Sequence, residues 1–493
     1  KIYFYEKWEY KWGPVDLGTD LIGETHDNKI WAIQAKCHKP EYSIKKEDID
    51  SFLSDSNRKN VNNRLLIATT NKISNNGYQT IHGQEKPVRL FLLKDFKNIN
   101  SLNFDYFSKT KKDKIKIKEP RPYQRKILKL INQGFKKNNK GKVFLPCGTG
   151  KTLIALWTNE NIKSNLTIVF VPSISLISQT VTEWSQNSTQ QFNFICICSD
   201  KTVVNKDELN ESVIDTFLPS TTNKEDIKNF LKIKGKKVIF CTYQSSLVLS
   251  KALKDNYIDL IICDEAHRCA GMHDSFYTIP LKDKYFKSKF KIFFTATKKI
   301  YSDKIKKSFK ANNLISYDME SEVFGNLFYE MKFSEAIKMK LLSDYDVVIL
   351  GFKDPKNLKL FSERKLVKLD KKNKTDVGTL TAHLSIIKSI KKYSLRKVIT
   401  FHSKVENAKS FALDFPKICS WLPEKDLLDI RIWSKHINGM QKSHVREDLL
   451  QILGGRKMNE FSMITNARCL SEGIDVPSVN GIVYVEPKQS HID

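Results

Sequence analysis

Residues 145–152, Leu-Pro-Cys-Gly-Thr-Gly-Lys-Thr, constrain this chain more than any other stretch. The apolar run Val143-Phe144-Leu145 predicts a strand leading in, and residues 153–161 predict a helix leading out. Gly148 and Gly150, on either side of Thr149, let the turn between them tighten until backbone N–H groups converge. The helix N-terminus adds partial positive charge at the same point. There Lys151 can reach terminal phosphates, and the Thr152 hydroxyl suits Mg²⁺. These features predict a phosphate-binding loop, although Leu145 stands where the first glycine of such loops usually is.

A phosphate loop needs acidic partners on neighbouring strands, and the chain supplies them. Apolar strands are predicted at residues 168–171, 238–241, 258–263 and 292–294. Each ends in a polar cluster: Pro172-Ser173, Thr242-Tyr243-Gln244, Asp264-Glu265-Ala266-His267 and Thr295-Ala296-Thr297. Apolar strands separated by helices indicate a doubly wound parallel sheet, whose ligands gather at the C-terminal strand edge. Asp264 can hold Mg²⁺ there through its water shell, and Glu265 can polarise an attacking water. A chance acidic pair would lack the loop upstream and Thr-Ala-Thr downstream.

This ordered set resembles the superfamily 2 helicases and translocases. Arg121-Pro122-Tyr123-Gln124 is similar to their adenine-contact element, with Gln124 as the reader. Residues 148–152 are similar to motif I, Asp264–His267 to a DEAH-type motif II, and Thr295–Thr297 to motif III. Pro172 and Ser173 fall in a motif Ia, and Thr242 and Gln244 in the element that touches the strand backbone. His402-Ser403, after a predicted strand at 398–401, resembles motif IV, and residues 466–477 resemble motif V. The resemblance implies that Gly473 and Asp475 line the ATP cleft from a second motor domain, beginning near residue 331 with a strand at 347–350. It also implies ATP and Mg²⁺ as cofactors. The arginine-bearing motif VI of the family is not met before Asp493, so a longer protein is expected.

The first hundred residues are of another kind. A strand over residues 17–25, a turn at 26–29 and a return strand at 30–36 predict a hairpin, followed by helix, strand, helix and strand. On the return strand Trp31, Ile33 and Ala35 share one face, and Gln34 and Lys36 the other. Asp20 lies on the strand across. A carboxylate there can hold a hard divalent cation, and a lysine beside it can orient water or stabilise a phosphate under attack. Asp16–Leu21 followed by Trp31–Lys36 resembles the Mrr-like branch of the PD-(D/E)xK nucleases, in which glutamine replaces an acidic residue. The resemblance implies that Asp20 binds metal, that Gln34 is the substituted position and that Lys36 is catalytic. It also implies a further acid on the first helix, with Glu6 and Glu9 as candidates.

The expected architecture is therefore α/β throughout: a PD-(D/E)xK nuclease domain at 1–107, a basic linker at 108–118, and two RecA-like doubly wound parallel-sheet domains at 119–330 and 331–493. At 493 residues the chain is long enough for roughly three domains. Lys and Arg exceed Asp and Glu by 83 − 55 = 28, which suits a polyanion such as double-stranded DNA. Nine cysteines without a CxxC pair read as reduced core residues of a cytoplasmic protein. No apolar run approaches the length of a membrane span. A nuclease ahead of a DEAH-type motor resembles the single-chain restriction-modification enzymes, although no Asn-Pro-Pro-Tyr or Asp-Pro-Pro-Tyr methyltransferase motif is found. Two alternatives stay open: a DNA motor whose N-terminal domain binds without cutting, and an RNA helicase.

Overall fold

The computed structural model describes residues 2–5, 8, 18–25, 29–82, 84–86, 88–98, 117–198, 220–253, 256–273, 275–302, 306, 311–312, 315–349, 366–368, 374–420, 431–439, 441, 443–456, 460–467, 476 and 478–485. The linker expected at 108–118 lies almost wholly outside these residues, as do Glu6, Glu9, Gly473 and Asp475.

The region expected to be a nuclease is a five-stranded sheet in the order β1-β2-β3-β5-β7. Its strands are β1 (Ile2–Phe4), β2 (Leu21–Glu24), β3 (Ile30–Lys36), β5 (Val61–Ala68) and β7 (Val88–Phe91). The first three are antiparallel, and β3, β5 and β7 run parallel. The short strands β4 (Ser43–Ile44) and β6 (Lys72–Ile73) pair separately. Helix α1 (Glu47–Asp55) presents Ile49, Phe52 and Leu53 at helical spacing to one sheet face, where they meet Ala32, Leu66 and Leu90. Helix α2 (Asn75–His82) adds Tyr78 and Ile81 to the same core, and α3 (Leu93–Asn98) follows β7. The strand expected over residues 17–25 is shorter. At Gly18 the chain instead turns against α1 with a φ of 138°, where a Cβ would sit 2.8 Å from Phe52 N. Only glycine accommodates both the backbone angle and that approach.

The sheet of the first RecA-like domain, the expected motor, has seven strands, in the order β10-β11-β9-β12-β14-β8-β16, all parallel. They are β8 (Lys140–Phe144), β9 (Leu166–Val171), β10 (Asn193–Ile197), β11 (Lys237–Thr242), β12 (Ile258–Cys263), β14 (Ser288–Thr295) and β16 (Asn326–Glu330). The central strand β12 reads Ile-Asp-Leu-Ile-Ile-Cys and is buried on both faces, as a parallel strand between helical layers must be. Helices α4 (Pro122–Lys137), α5 (Lys151–Ile162) and α6 (Ile174–Asn187) pack one face, and α7 (Lys224–Lys232) and α8 (Ser246–Leu253) the other. A small pair, β13 (Gly271–Met272) with β15 (Ser316–Tyr317), lies beside them.

The boundary expected at 330/331 falls inside this core. Met331 and Ala336 are buried in it, and the compact unit that holds both the nuclease and the first motor sheet runs to Asp344. The second unit, from Tyr345, contains a parallel sheet ordered β20-β21-β19-β22. Its strands are β19 (Lys397–Phe401), β20 (Arg431–Ile437), β21 (Glu460–Asn466) and β22 (Gly481–Tyr484); β17 (Leu366–Lys368) and β18 (Lys374–Asp376) form a separate pair. The strand expected at 347–350 is not found among its described residues: Val347 and Ile349 are 78% and 91% exposed. Preceded by Asp344 and Asp346, the run Val347–Ile349 stays exposed and has no core to cover. Cys37 and Cys147 are exposed, which corrects the expectation of core cysteines at those positions; the other described cysteines are buried. Among the described residues no helix is long and apolar enough to cross a membrane.

Candidate functional site: a phosphate loop and a nuclease hairpin

The loop between β8 and α5 has the backbone a phosphate cradle requires. Gly148 and Gly150 take φ of 78° and 80°, which side-chain-bearing residues disfavour. A Cβ on Gly150 would lie 2.6 Å from Gln124 Nε2. Gln124 crosses the loop from the first turn of α4. Its Oε1 accepts from Arg121 N at 2.9 Å, and its Nε2 donates to Thr149 O at 3.4 Å. Tyr123 supports the same carbonyl at 2.9 Å through its hydroxyl, and the Thr149 hydroxyl closes the turn onto Pro146 O. Tyr123, Gln124 and Thr149 thus brace the loop that runs from Gly148 to Gly150.

The acidic pair stands opposite. β12 lies one strand from β8 in the sheet, with β14 between them, and Asp264 N donates to Phe170 O of β9 on its other side. The Tyr243 hydroxyl holds Asp264 O at 2.7 Å, and Asp264 Oδ1 accepts from Glu265 N. Glu265 has a φ of 46°, a left-handed turn that a non-glycine residue rarely takes. That turn brings its carboxylate to Lys151: Lys151 Nζ donates to Glu265 Oε1 at 2.8 Å. His267 Nδ1 lies 3.4 Å from Glu265 Oε2 and 2.9 Å from Thr295 Oγ1, which links motif II to motif III.

The two carboxylates are electrostatically opposite. Burial, with the Glu265 charge beside it, pushes Asp264 up to about 6. Burial alone would also raise Glu265, but the hydrogen bond from His267 and the Lys151 charge hold it down to about 2. Burial works against the Lys151 cation, yet Glu265 and Asp264 outweigh it and raise its pKa. A glycine cradle beside a hydroxyl and a carboxylate fits a nucleotide triphosphate with Mg²⁺.

At the nuclease hairpin β2 pairs with β3 through Leu21 opposite Ile33, and Asp20 N donates to Ile33 O just beyond that pair. Asp20 Oδ2 accepts from Ala35 N at 2.6 Å, so its carboxylate is fixed to the stretch of β3 that carries Gln34 and Lys36. Gln34 is 3% exposed, and its Oε1 is buried with no partner. A buried unpaired amide oxygen is costly unless something binds it. An amide oxygen and a carboxylate carried by adjoining strands are the donor types a hard cation takes. Lys36, two residues on, is half-buried on the same strand face as Gln34. Among the described residues no group of three or more His, Cys, Asp and Glu side chains is arranged to hold a metal ion.

The expected nucleic-acid contacts fare unevenly. Ser403 is exposed. Ser173 is half-buried and caps α6, accepting from Leu176 N. Gln244 is half-buried, with both side-chain amide atoms enclosed and unpaired. Pro172, Thr242 and His402 are buried. Thr242 donates to Ser245 Oγ, and the His402 ring lies 2.9 Å from Thr400 Oγ1 and packs on Phe411. Sequence reasoning missed the close approach of Gly18 to α1 and two side chains, Lys29 and Arg89, that join the nuclease to the motor. A charged residue inside the apolar strand Val-Arg-Leu-Phe was the available signal for Arg89.

Comparison with known proteins agrees with this geometry. Residues 1–114 match a restriction-endonuclease family of the Mrr catalytic type, and residues 117–300 match the res subunit family of Type III restriction enzymes. A probable helicase of African swine fever virus, from a Kenyan pig isolate, is 22% identical over 381 residues, covering 76% of this chain. The counterpart from a South African tick isolate is 22% identical over 380 residues. This chain spans 38% of the length of either. Among solved structures, the ATP-dependent Type ISP restriction-modification enzyme LlaBIII, bound to DNA, matches with a TM-score of 0.80 and 24% identity, over 99% of this chain and 33% of that one. A nuclease-deletion mutant of the Type ISP enzyme LlaGI matches with a TM-score of 0.50 and 22% identity, over 74% of this chain and 24% of that one. Two restriction-enzyme family matches thus lie side by side on this chain, a restriction endonuclease of the Mrr catalytic type over residues 1–114 and the res subunit of Type III restriction enzymes over residues 117–300.

Proposed function

We propose that this protein is an ATP-driven double-stranded DNA translocase that carries a metal-dependent DNA endonuclease and acts in restriction of foreign DNA. One observation carries the reading: a single compact unit holds both the Lys151–Glu265 pair on a phosphate loop and the Asp20–Gln34–Lys36 hairpin. The excess of 28 positive charges and the DNA-bound state of the LlaBIII structure support duplex DNA as the partner.

In the motor, incoming phosphates take the Lys151 ammonium and the loop N–H groups. Glu265 is then released from Lys151 but still held by His267, and it accepts a hydrogen bond from the attacking water. The water oxygen bonds to the γ-phosphorus, the bond to the β–γ bridging oxygen breaks, and Glu265 takes the proton. Thr152 and Asp264 are the residues that would hold Mg²⁺, which when bound neutralises charge on the phosphate oxygens. The His267–Thr295 contact ties this change to motif III. In the nuclease, Asp20 and the Gln34 oxygen are the residues that would hold a divalent cation, and Lys36 orients the water that attacks the phosphodiester.

Comparison of ATPase stimulation by duplex DNA and by RNA tests this reading. Stimulation by duplex DNA is expected. Stimulation by RNA alone removes the restriction reading and favours an RNA helicase.

A further inference from the structure

The nuclease sheet and the first motor sheet meet on a surface that neither reaction uses. Arg89, in the middle of β7, is 2% exposed. Its Nη1 donates to Ser220 Oγ and its Nη2 to Ser220 O, each at 3.2 Å. Ser220 forms a parallel bridge with Cys196, and Thr221 N donates to Cys196 O, so the segment that receives Arg89 extends the motor sheet beyond its edge strand β10. On the nuclease side the guanidinium carbon lies 5.7 Å from the centre of the Trp31 ring, within reach of a cation–π attraction. A second tie runs from Lys29 Nζ to Asp226 Oδ1 on α7 at 3.0 Å, with both side chains about one-third exposed.

Beside these ties lies a cavity of about 610 Å³, walled by Trp31, Asn63, Phe194, Ser220 and Phe230. Close-packed apolar faces would fix two sheets by shape. Here the shared surface is partly hollow, so the polar ties set the orientation. Trp31 belongs to β3, the strand that also carries Gln34 and Lys36, and Lys29 immediately precedes it. From Trp31 to Lys36 is roughly 17 Å of strand. β3 sits in the middle of its sheet, paired on both sides. A displacement at its motor end therefore carries to its catalytic end.

We propose that Arg89 and the Lys29–Asp226 pair are positioning residues that hold β3, and with it the nuclease site, in a fixed orientation on the first motor domain, so that ATP-dependent cleavage passes through this junction. The inference rests on the reading of the chain as an ATP-driven nuclease. It assigns the junction neither a part in nucleotide hydrolysis nor a contact with the cation or scissile phosphate.

Charge exchange tests it. Lys29→Glu, Asp226→Lys and the double variant are assayed in the intact protein for DNA-stimulated ATPase and for ATP-dependent cleavage of duplex DNA. Each single variant places like charges side by side. It should lower cleavage about tenfold while ATPase stays within about twofold, and the double variant should recover most of the cleavage, as expected of residues in direct contact. Recovery on reversal of both charges shows direct contact, and the retained ATPase separates positioning of the nuclease from general loss of the fold, which would lower both activities together. Equal cutting by wild type and both single variants overturns the junction alone. So does parallel loss of ATPase and cleavage that the double variant does not restore. A wild type that hydrolyses ATP on DNA but never cuts it overturns the nuclease reading, and this inference with it.

Discussion

Lys151 Nζ lies 2.8 Å from Glu265 Oε1, which pairs the cation proposed to meet phosphate with the carboxylate proposed to activate water. Both side chains are largely buried, 9% and 15% exposed, and a buried ion pair holds only while both partners are present. Glu265→Gln keeps the shape and removes the base. The expected result is hydrolysis lower by about 10²- to 10⁴-fold with ATP still bound. Turnover beside equilibrium nucleotide binding checks this; loss of binding in step with turnover contradicts the assigned role.

The two neighbouring carboxylates should respond oppositely to neutralisation. Asp264 is raised to about 6, so its ionised form is disfavoured in the folded chain. That cost is full above pH 6 and vanishes as pH falls below the ordinary carboxylate value. Asp264→Asn should raise the stability of nucleotide-free protein by about 1 to 3 kcal/mol at pH 7.5, with the gain fading toward pH 4. Glu265, held at about 2, contributes stability that is present above its ordinary value and lost as pH falls toward 2. Glu265→Gln should therefore lower stability at pH 7.5. Thermal unfolding of both variants across pH checks the signs, and both should lose ATPase.

The His267–Thr295 contact of 2.9 Å joins the hydrolytic strand end to the next one. Thr295→Val keeps the volume and removes the hydroxyl. It should leave ATP hydrolysis without DNA within about fivefold, since one neutral hydrogen bond contributes on the order of 1 kcal/mol. DNA stimulation should fall more than that basal rate. Steady-state ATPase with and without duplex DNA separates the two effects.

Gly18 provides a test of how the nuclease acid is placed. A Cβ there meets Phe52 N at 2.8 Å and Ser51 C at 2.9 Å in a backbone angle that side chains avoid. Gly18→Ala should shift the segment leading to Asp20 and cost about 1 to 3 kcal/mol of strain. DNA cleavage should drop while DNA-stimulated ATPase is retained. Equal loss of both activities contradicts a local effect.

The parts that were legible in the sequence are those written as continuous local signal. The strands at 258–263 and 398–401 and the loop at 145–152 are apolar runs ending in distinctive polar residues, and they fold as read. Asp20 and Gln34 were legible because a hairpin's period of two fixes which residues share an edge. Long-range packing was not. The sequence around Val347–Ile349 has strand propensity but no surface to cover, and residues 331–344 join the first motor domain because Met331 and Ala336 find its core. His402 looked like a strand-end contact, yet its ring is drawn inward by Thr400 and Phe411. The Arg89 junction depends on Ser220, 131 residues away, and no local pattern specifies that pairing.

The central claim is that ATP turnover at one site drives DNA cutting at another. Wild type, Lys151→Ala and Asp20→Ala, incubated with duplex DNA, Mg²⁺ and ATP, test it most directly when phosphate release and DNA cleavage are measured in the same reactions. The account predicts that Lys151→Ala loses both activities, whereas Asp20→Ala loses cleavage and keeps DNA-stimulated phosphate release. Undiminished cleavage by Lys151→Ala, or by Asp20→Ala, would contradict it.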